Sequence, residues 1–210
     1  MDDNAGSLFQ YLISTNYTGQ NTFILYLRES SQGTAPNRWD AWLYDSNSTS
    51  TGAIRSSSSP GADSTWRLII VQRATADNEI QLWFCEKDGA ASKEASTSDA
   101  GFDDVNVSNI EIGRRDDASA SRYYGGIACE FFKGDFALSQ SEIQALGAGL
   151  PIKTLAKQSG ISLDVYLPMW AADATLLDYS NNGNNASRQS TPTTTEHAPV
   201  CTPAKRRRIS

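Results

Sequence analysis

The chain has 210 residues, of which 39% are hydrophobic, 10% aromatic and 20% charged, and its formal net charge is −6. This composition provides apolar side chains for a sizeable core and excludes a disordered chain, which has few aromatic residues and a high charge. The acidic balance makes nucleic acid an unfavourable partner for the folded body, and no apolar run approaches the roughly 20 residues that a membrane helix needs.

Residues that alternate between apolar and polar types predict a protein built from short β-strands. Turn-forming clusters of Gly, Pro, Asn and Ser separate these runs, and the pairs Asp77-Asn78 and Asp88-Gly89 are predicted hairpin turns. Many short strands at this spacing indicate an all-β sandwich or barrel. The predicted strands, in chain order, are residues 23–28, 39–45, 66–73, 79–86, 109–113, 126–133 and 163–170.

One short helix is predicted over residues 138–147. Ser139 as the N-cap and Glu142 three residues later have the spacing of a capping box, and Gly147 is the expected C-terminal stop. Ile143 and Leu146 are three residues apart, so one face of this helix can pack. A single helix of this length does not make a strand–helix–strand unit.

The two ends of the chain are polar. The acidic N-terminus lacks the features of a signal peptide, and residues 189–210 are expected to form an extended, Thr/Pro-rich tail. A solvated end is the simplest interpretation of the basic cluster in that tail. Contact with a neighbouring subunit or an acidic surface is the second interpretation, and a nuclear-import signal or nucleic-acid clip the third. The residues of this candidate partner contact are Lys205, Arg206, Arg207 and Arg208.

The three cysteines do not indicate a disulfide framework, because their number is odd. Cys85 and Cys129 lie in apolar, strand-like runs, where a free thiol is expected to be buried like a small hydrophobic residue. Cys201 and the single histidine, His197, lie in the polar tail, and no Cys/His metal spacing is present.

Paired carboxylates are the enzymatic signal to test in a β protein, since glycoside hydrolysis needs two across a cleft. Glu111 and Glu130 lie in strands that look like neighbours, whereas Glu79 and Glu86 point to opposite faces of one strand. Charged residues on a solvated face are the preferred interpretation of both pairs. No Gly-x-Ser-x-Gly elbow and no phosphate-binding glycine loop accompanies them.

Two segments are weaker candidates for ligand binding. Residues 178–184 alternate oxygen-bearing side chains before Gly183, which suits calcium, but Asp178 is the sole carboxylate and an Asn/Gly turn is preferred. No cofactor is therefore predicted. Tyr123 and Tyr124 are candidate glycan contacts, although core packing is the default for aromatic residues. Trp39 and Trp42 are three apart and cannot share a face of a regular strand.

From Trp66 onward, the order of features resembles the concanavalin A-like lectin/glucanase superfamily, specifically its laminin-G-like branch. The C-terminal part is similar to members found in phages and other viruses, and the resemblance covers roughly residues 60–200. The segments that carry it are Trp66 to Arg73, Ile80 to Gly89, Ile110 to Gly113, Gly126-Ile127, Ala137 to Ile143, Tyr166 to Trp170, Asp178 to Asn184 and Glu196 to Val200.

The resemblance implies a jelly-roll β-sandwich of two antiparallel sheets with one short helix over residues 1–188, followed by the tail at 189–210. Hydrolase activity is not implied, because the carboxylate signature of the glucanases is absent, and the calcium ligands of laminin-G modules cannot be placed. Residues that the resemblance marks as architectural are Trp66, Gly113, Gly126, Leu138 and Glu142.

The function expected from this combination is a non-enzymatic virion structural protein, such as a phage capsid decoration or tail-associated module. Its partners would be other virion proteins in an oligomeric assembly, and it would be made in the host cytoplasm and lie on the virion surface. The alternative is a carbohydrate-binding, lectin-like adhesion module that contacts cell-surface glycans. A glycoside hydrolase is the third and weakest interpretation.

Overall fold

The computed structural model describes residues 9–15, 20–28, 37–58, 65–87, 89–105, 109–113, 128, 130–169 and 175–187. These residues form antiparallel sheets and two short helices, which confirms the all-β class. The helices are α1 (Gln140–Gly147) and α2 (Ile152–Ser159). The strands are β1 (Phe9–Ser14), β2 (Thr22–Arg28), β3 (Trp39–Tyr44), β4 (Ser50–Arg55), β5 (Arg67–Ala74), β6 (Glu79–Glu86), β7 (Ser92–Ser98), β8 (Glu111–Ile112), β9 (Phe131–Lys133), β10 (Val165–Leu167), β11 (Thr175–Leu176) and β12 (Ala186–Ser187).

The chain divides into two compact units. The first contains β1 to β4, β7, β8 and the segment Ile69–Phe84, which makes up most of β5 and β6. The second contains β9 to β12 and both helices, together with Thr65–Leu68 and Cys85–Ala91. The predicted boundary at residue 188 and the tail at 189–210 lie outside the described residues.

One hydrophobic core joins the two sheets of the first unit. The larger sheet has the strand order β4-β3-β2-β1-β8, and the smaller has the order β5-β6-β7. Side chains alternate between the two faces of each strand, so Leu25, Ala41 and Ile54 meet on one face of the larger sheet. The same buried cluster contains Ile80 and Leu82 of β6. The first unit is therefore a two-layer, sandwich-like arrangement around a shared core.

The strands predicted at residues 23–28, 39–45, 66–73 and 79–86 are confirmed as β2, β3, β5 and β6. The predicted turn at Asp77-Asn78 is also confirmed, since the Asp77 amide donates to the Ala74 carbonyl at 3.0 Å. Asn78 has a φ of 53° there, a conformation that asparagine tolerates better than most residues. Strands β8, β9 and β10 form where predicted but pair over only two or three residues.

Helix α1 begins with the predicted capping box. Ser139 Oγ accepts from the Glu142 amide at 3.3 Å, and the Ser139 amide donates to Glu142 Oε2 at 2.8 Å. The helix ends at Gly147 as predicted, but the left-handed residue that closes it is Gly149, with a φ of 94°. The amide of Leu150 donates to the Ala145 carbonyl at 2.9 Å, which completes a Schellman motif.

The prediction of a single short helix is wrong, because α2 follows α1 after four residues. Its buried side chains, Ile152, Leu155 and Ala156, have the three- and four-residue spacing of one helical face. Pro151 precedes its first residue, and Gly160 closes it with a φ of 67°. The apolar spacing and the residues at the two ends of the helix, Pro151 and Gly160, could thus have been recognised in the sequence.

Replacing Ser139 by alanine is expected to lower the free energy of unfolding by about 1 kcal/mol, because the first turn of α1 loses its side-chain acceptor. Chemical denaturation monitored by circular dichroism measures the change. Ser139→Thr keeps a hydroxyl at the N-cap and serves as the control. Equal losses in the two variants would contradict a capping role for the hydroxyl.

Candidate functional site

Strands β2, β3 and β4 turn a row of aromatic and charged side chains away from the shared core. The register pairs Tyr26 with Asp40 and Asp40 with Arg55, so these three residues share one face of the sheet. We call this face the outer face of the five-stranded sheet. It carries Thr22, Ile24, Tyr26 and Arg28 from β2, Asp40, Trp42 and Tyr44 from β3, and Ser50, Ala53 and Arg55 from β4.

Two aromatic rings pack beside each other on the outer face. The ring centroids of Trp42 and Tyr44 are 6.0 Å apart, and their planes differ by 14°. Trp42 Nε1 donates to Ser50 Oγ at 2.6 Å, which fixes the orientation of the indole. Both aromatic side chains are partly exposed, whereas Trp39 is buried in the core, so Trp39 and Trp42 lie on opposite faces as predicted. The pair is partly exposed, and Trp42 also packs against the buried side chains of Ile24 and Tyr26.

A fully buried carboxylate lies beside these rings. Asp40 Oδ2 accepts from Arg28 Nε at 2.8 Å and from the Tyr26 hydroxyl at 3.2 Å. Arg55 donates Nε to Asp40 Oδ1 at 3.0 Å and Nη2 to Oδ2 at 3.3 Å. The side chain of Asp40 is 0% exposed, whereas those of Arg28 and Arg55 are 22% and 33% exposed. The negative charge thus lies beneath two positive charges that reach the surface.

The contacts of Arg28 with Asp40 favour the charged form of its guanidinium. Burial lowers the pKa of the Arg28 guanidinium, but the hydrogen bond to Asp40 and the attraction of its charge outweigh this effect. The pKa of Arg28 is therefore raised above its ordinary value. The cluster thus joins two guanidinium groups to one carboxylate.

From the sequence, no role was predicted for Arg28, Asp40 or Arg55. They could have been noticed as charged residues that lie between apolar residues inside a strand, because aspartate is rare in strands. The candidate contacts that were predicted, Tyr123 and Tyr124, lie outside the described residues. So do the basic residues of the tail, Lys205, Arg206, Arg207 and Arg208, and the side chains of Cys129, His197 and Cys201.

The glutamates considered for acid–base catalysis belong to different sheets. Glu111 lies on β8, whose neighbour in the sheet is β1. Glu130 directly precedes β9, whose neighbour is β10. In the described part of the chain, β8 thus pairs with β1 and β9 pairs with β10, and no pairing between the two predicted strands is among these contacts. Glu79 is held by other contacts, with Lys93 Nζ at 2.8 Å and Ser96 Oγ at 3.0 Å.

The candidate calcium-binding segment, residues 178–184, forms a turn in which Asp178 accepts hydrogen bonds from backbone amides. Asp178 Oδ1 accepts from the amides of Tyr166 and Ser180 at 2.9 and 2.8 Å, and Oδ2 accepts from the amide of Asn184 at 2.9 Å. This geometry confirms the preferred interpretation of an Asn/Gly turn. Within the described ranges, no group of three His, Cys, Asp or Glu side chains is arranged to hold a metal ion.

The Asp178 turn makes stability depend on pH. Desolvation raises the pKa of the Asp178 carboxyl, but hydrogen bonds from Tyr166, Ser180 and Asn184 outweigh it, so the pKa lies below its ordinary value of 3.8. A carboxyl whose pKa is lower in the folded state contributes stability above its unfolded pKa, and this contribution is lost as the pH falls through the folded value. The carboxyls of Asp45, Glu79, Glu94 and Glu142 also have lowered pKa values.

The free energy of unfolding is therefore expected to decrease as the pH falls below about 4, the unfolded pKa of Asp and Glu. The Asp178→Asn variant is expected to lose less of its free energy of unfolding over that range than the parent chain. At pH 7 the same variant is expected to be less stable by about 1 kcal/mol, since a charged acceptor has been removed. Urea denaturation between pH 2.5 and 7 measures both effects. Asp135→Asn, at an exposed position, is the control, and identical pH profiles for Asp178→Asn and the parent would contradict the assignment.

Among the helices of the described residues, none has the length and apolar character needed to cross a membrane. Comparison of the chain with family models, with curated proteins and with solved structures gives no match. The resemblance to the laminin-G-like branch therefore stays a prediction from the order of the sequence segments.

Proposed function

We propose that the chain is a non-enzymatic binding module that binds saccharides on the outer face of the five-stranded sheet. The observation that carries the proposal is the stacked pair of Trp42 and Tyr44, partly exposed and fixed beside a polar cluster. The apolar face of a pyranose ring packs on flat aromatic rings, and nearby polar groups bond its hydroxyls. A sheet supplies a rigid support, which lowers the entropy that binding costs.

Replacing Trp42 by alanine is expected to weaken saccharide binding by about tenfold or more, which corresponds to about 1.4 kcal/mol. A glycan array identifies ligands of the parent chain, and isothermal titration calorimetry then measures the affinities. Trp83→Ala is the matched control, because Trp83 is also half-buried on a strand and its Nε1 donates to Gln81 Oε1 at 2.8 Å. Thermal melts establish that both variants are folded.

Three outcomes would contradict this proposal. The first is an array signal that stays at background with and without calcium. The second is equal weakening by Trp42→Ala and Trp83→Ala, which would mean that the outer face has no special part in binding. The third is release of reducing sugar from a polysaccharide by the purified chain, which would contradict a role without catalysis.

A jelly-roll sandwich of the concanavalin A-like type is the finer fold that we propose for the chain. Its support is the buried cluster shared by strands β2 to β4 and β6, together with the capped helix α1 at the position that the resemblance requires. An experimental structure that traces the connections between the sheets tests this topology. Connections of a different order would exclude it.

Virion membership is a second candidate, supported by the segments similar to viral proteins. Two of these, β10 and the Asp178 turn, are joined by hydrogen bonds, since the Tyr179 amide donates to the Tyr166 carbonyl at 2.8 Å. A module of this kind would contact other virion proteins and could carry saccharide binding to the particle surface. Immunogold electron microscopy of purified particles tests it, and a chain that never co-sediments with particles would exclude it.

A further inference from the structure

Side-chain donors fasten the Asp178 turn to the residues that precede β10. Asn182 Nδ2 donates to the carbonyl of Leu163 at 2.9 Å and to the carbonyl of Asp164 at 3.0 Å. The Asp164 carbonyl also accepts at 2.9 Å from each of two further donors, Asn184 Nδ2 and Ser180 Oγ. The primary amide of Asn182 thus makes two of these four hydrogen bonds, and it can do so because an amide nitrogen donates twice.

The dipeptide Asn182-Gly183 can react with itself. The backbone nitrogen of Gly183 is able to approach Cγ of Asn182, because glycine has no Cβ to hinder it. In the reaction, the bond between this nitrogen and Cγ forms and the bond between Cγ and Nδ2 breaks. Nδ2 leaves as ammonia with the proton that the backbone nitrogen gives up. Water then opens the five-membered ring and produces aspartate or isoaspartate, each of which carries a carboxylate.

The structure leaves the attacking nitrogen available. The amides on either side of it are engaged, since the Asn182 amide donates to Ser180 Oγ at 3.3 Å and the Asn184 amide donates to Asp178 Oδ2 at 2.9 Å. Within the described ranges, the Gly183 amide donates to no acceptor of the protein. Asn182 and Gly183 are both exposed, so water and hydroxide reach the dipeptide.

We propose that Asn182 is a site of spontaneous deamidation, and that the reaction releases the Asp178 turn from residues 163 and 164. The product carboxylate is ionised at neutral pH and has no proton to donate, so both hydrogen bonds to the carbonyls are lost. Its oxygens would face the carbonyl oxygens that the amide nitrogen had bonded, and its charge would lie in the same turn as that of Asp178. Both changes are repulsive. The change is irreversible and requires no reagent other than water.

Peptide mapping by mass spectrometry, after incubation of the full chain in mildly alkaline buffer, measures the reaction. The expected result at Asn182 is the mass gain of an amide replaced by a carboxyl group. The rate is expected to rise with pH, because the attacking nitrogen must lose its proton. Asn47 is the internal control, since it is also exposed and its Nδ2 donates to Asp103 Oδ2 at 3.1 Å, but Ser48 follows it. No conversion at Asn182, or equal conversion at Asn47, would overturn the site.

A variant of Gly183 tests the role of its nitrogen. Gly183→Asn places a side chain beside the attacking atom, and asparagine tolerates the φ of 76° at this position. A Cβ atom added at residue 183 meets no atom within 4 Å, so the turn is retained. This variant is expected to show no conversion at Asn182 in the time that the parent chain needs. Conversion at the parental rate would overturn the proposed attack.

Hydrogen exchange measured by mass spectrometry tests the release of the turn. Asn182→Asp represents the aspartate product, and it is expected to speed exchange of the Tyr179 amide, which donates to the Tyr166 carbonyl at 2.8 Å. The loss of two hydrogen bonds predicts an increase of about tenfold or more. Asn181→Asp is the matched control, because it adds the same charge to an exposed side chain that makes no hydrogen bond within the described residues.

The exchange rates and the peptide map decide separate parts of the proposal. Unchanged exchange in Asn182→Asp would overturn the release of the turn, even if Asn182 is converted in the parent chain. An equal increase in Asn181→Asp and Asn182→Asp would assign the effect to charge alone and would overturn the role of the two lost hydrogen bonds. The peptide map uses the parent chain, so it decides the site even if a variant fails to fold.

Discussion

Replacing Asp40 by alanine is expected to lower the free energy of unfolding by about 3 kcal/mol, near the low end of the range for breaking a buried ion pair. The change removes the carboxylate that accepts from Arg28, Arg55 and the Tyr26 hydroxyl. The loss is near the low end because both arginines are partly exposed and water can solvate them. Urea denaturation at pH 7 followed by tryptophan fluorescence measures it.

Asp104→Ala is the matched control for this prediction. Asp104 accepts from Arg73 Nη1 at 3.2 Å, but its side chain is 84% exposed, so its removal is expected to change stability by less than about 0.5 kcal/mol. Similar losses in the two variants would contradict the view that burial gives Asp40 its importance. Raising the salt concentration is expected to affect the Arg73–Asp104 pair more than the buried cluster.

The Asp40 cluster links the stability of the sheet to its proposed binding role. Its hydrogen bonds cross three adjacent strands, from Arg28 on β2 through Asp40 on β3 to Arg55 on β4. They hold both guanidinium groups in a fixed orientation before any ligand arrives, and such preorganisation lowers the entropy that binding costs.

Alternation made the central strands predictable from sequence. In β2, β3 and β6, apolar residues occupy every second position, and the same residues fill the shared core, among them Leu25, Ala41 and Leu82. Helix α1 was predictable because its capping box is a local interaction between Ser139 and Glu142. These signals lie within a few residues of one another and need no knowledge of the tertiary structure.

Two of the missed strands, β4 and β7, lack such local signals, unlike the missed strand β1, which has the sequence Phe-Gln-Tyr-Leu-Ile-Ser. Strand β4 has the sequence Ser-Thr-Gly-Ala-Ile-Arg and β7 has Ser-Lys-Glu-Ala-Ser-Thr-Ser, both of which have the composition of loops. Their hydrogen bonds to β3 and β6 make them strands, so tertiary pairing overrides a weak propensity. Helix α2 is a different case, because the apolar spacing of Ile152, Leu155 and Ala156 was available and its polar neighbours obscured it.

The outer face could not be assembled from sequence for a related reason. Alternation indicates that Asp40, Trp42 and Tyr44 share a face of β3, but it does not say which residues of other strands lie beside them. The pairing of Asp40 with Tyr26 on one side and Arg55 on the other depends on register. That register is set by turns and by the shared core, which become visible only in the folded chain.

Replacing Gly147 by alanine is expected to destabilise the protein by about 2 kcal/mol, although alanine favours helices over glycine. A Cβ atom at this position would overlap Cys85 Sγ and lie 2.8 Å from Cys85 Cβ. Cys85 is itself 1% exposed, so its side chain has no open space to move into. The overlap therefore outweighs the gain of about 1 kcal/mol in helix propensity. Thermal and urea denaturation measure the loss.

A double-mutant cycle assigns that loss to the contact between Gly147 and Cys85. The double variant Gly147→Ala/Cys85→Ala is expected to lose less stability than the sum of the two single losses. Removal of Sγ makes room for the new Cβ. Gly89→Ala is the control, since a Cβ there would lie 3.3 Å from Glu86 Cβ and needs only a small adjustment. Additive losses in the cycle would contradict the overlap.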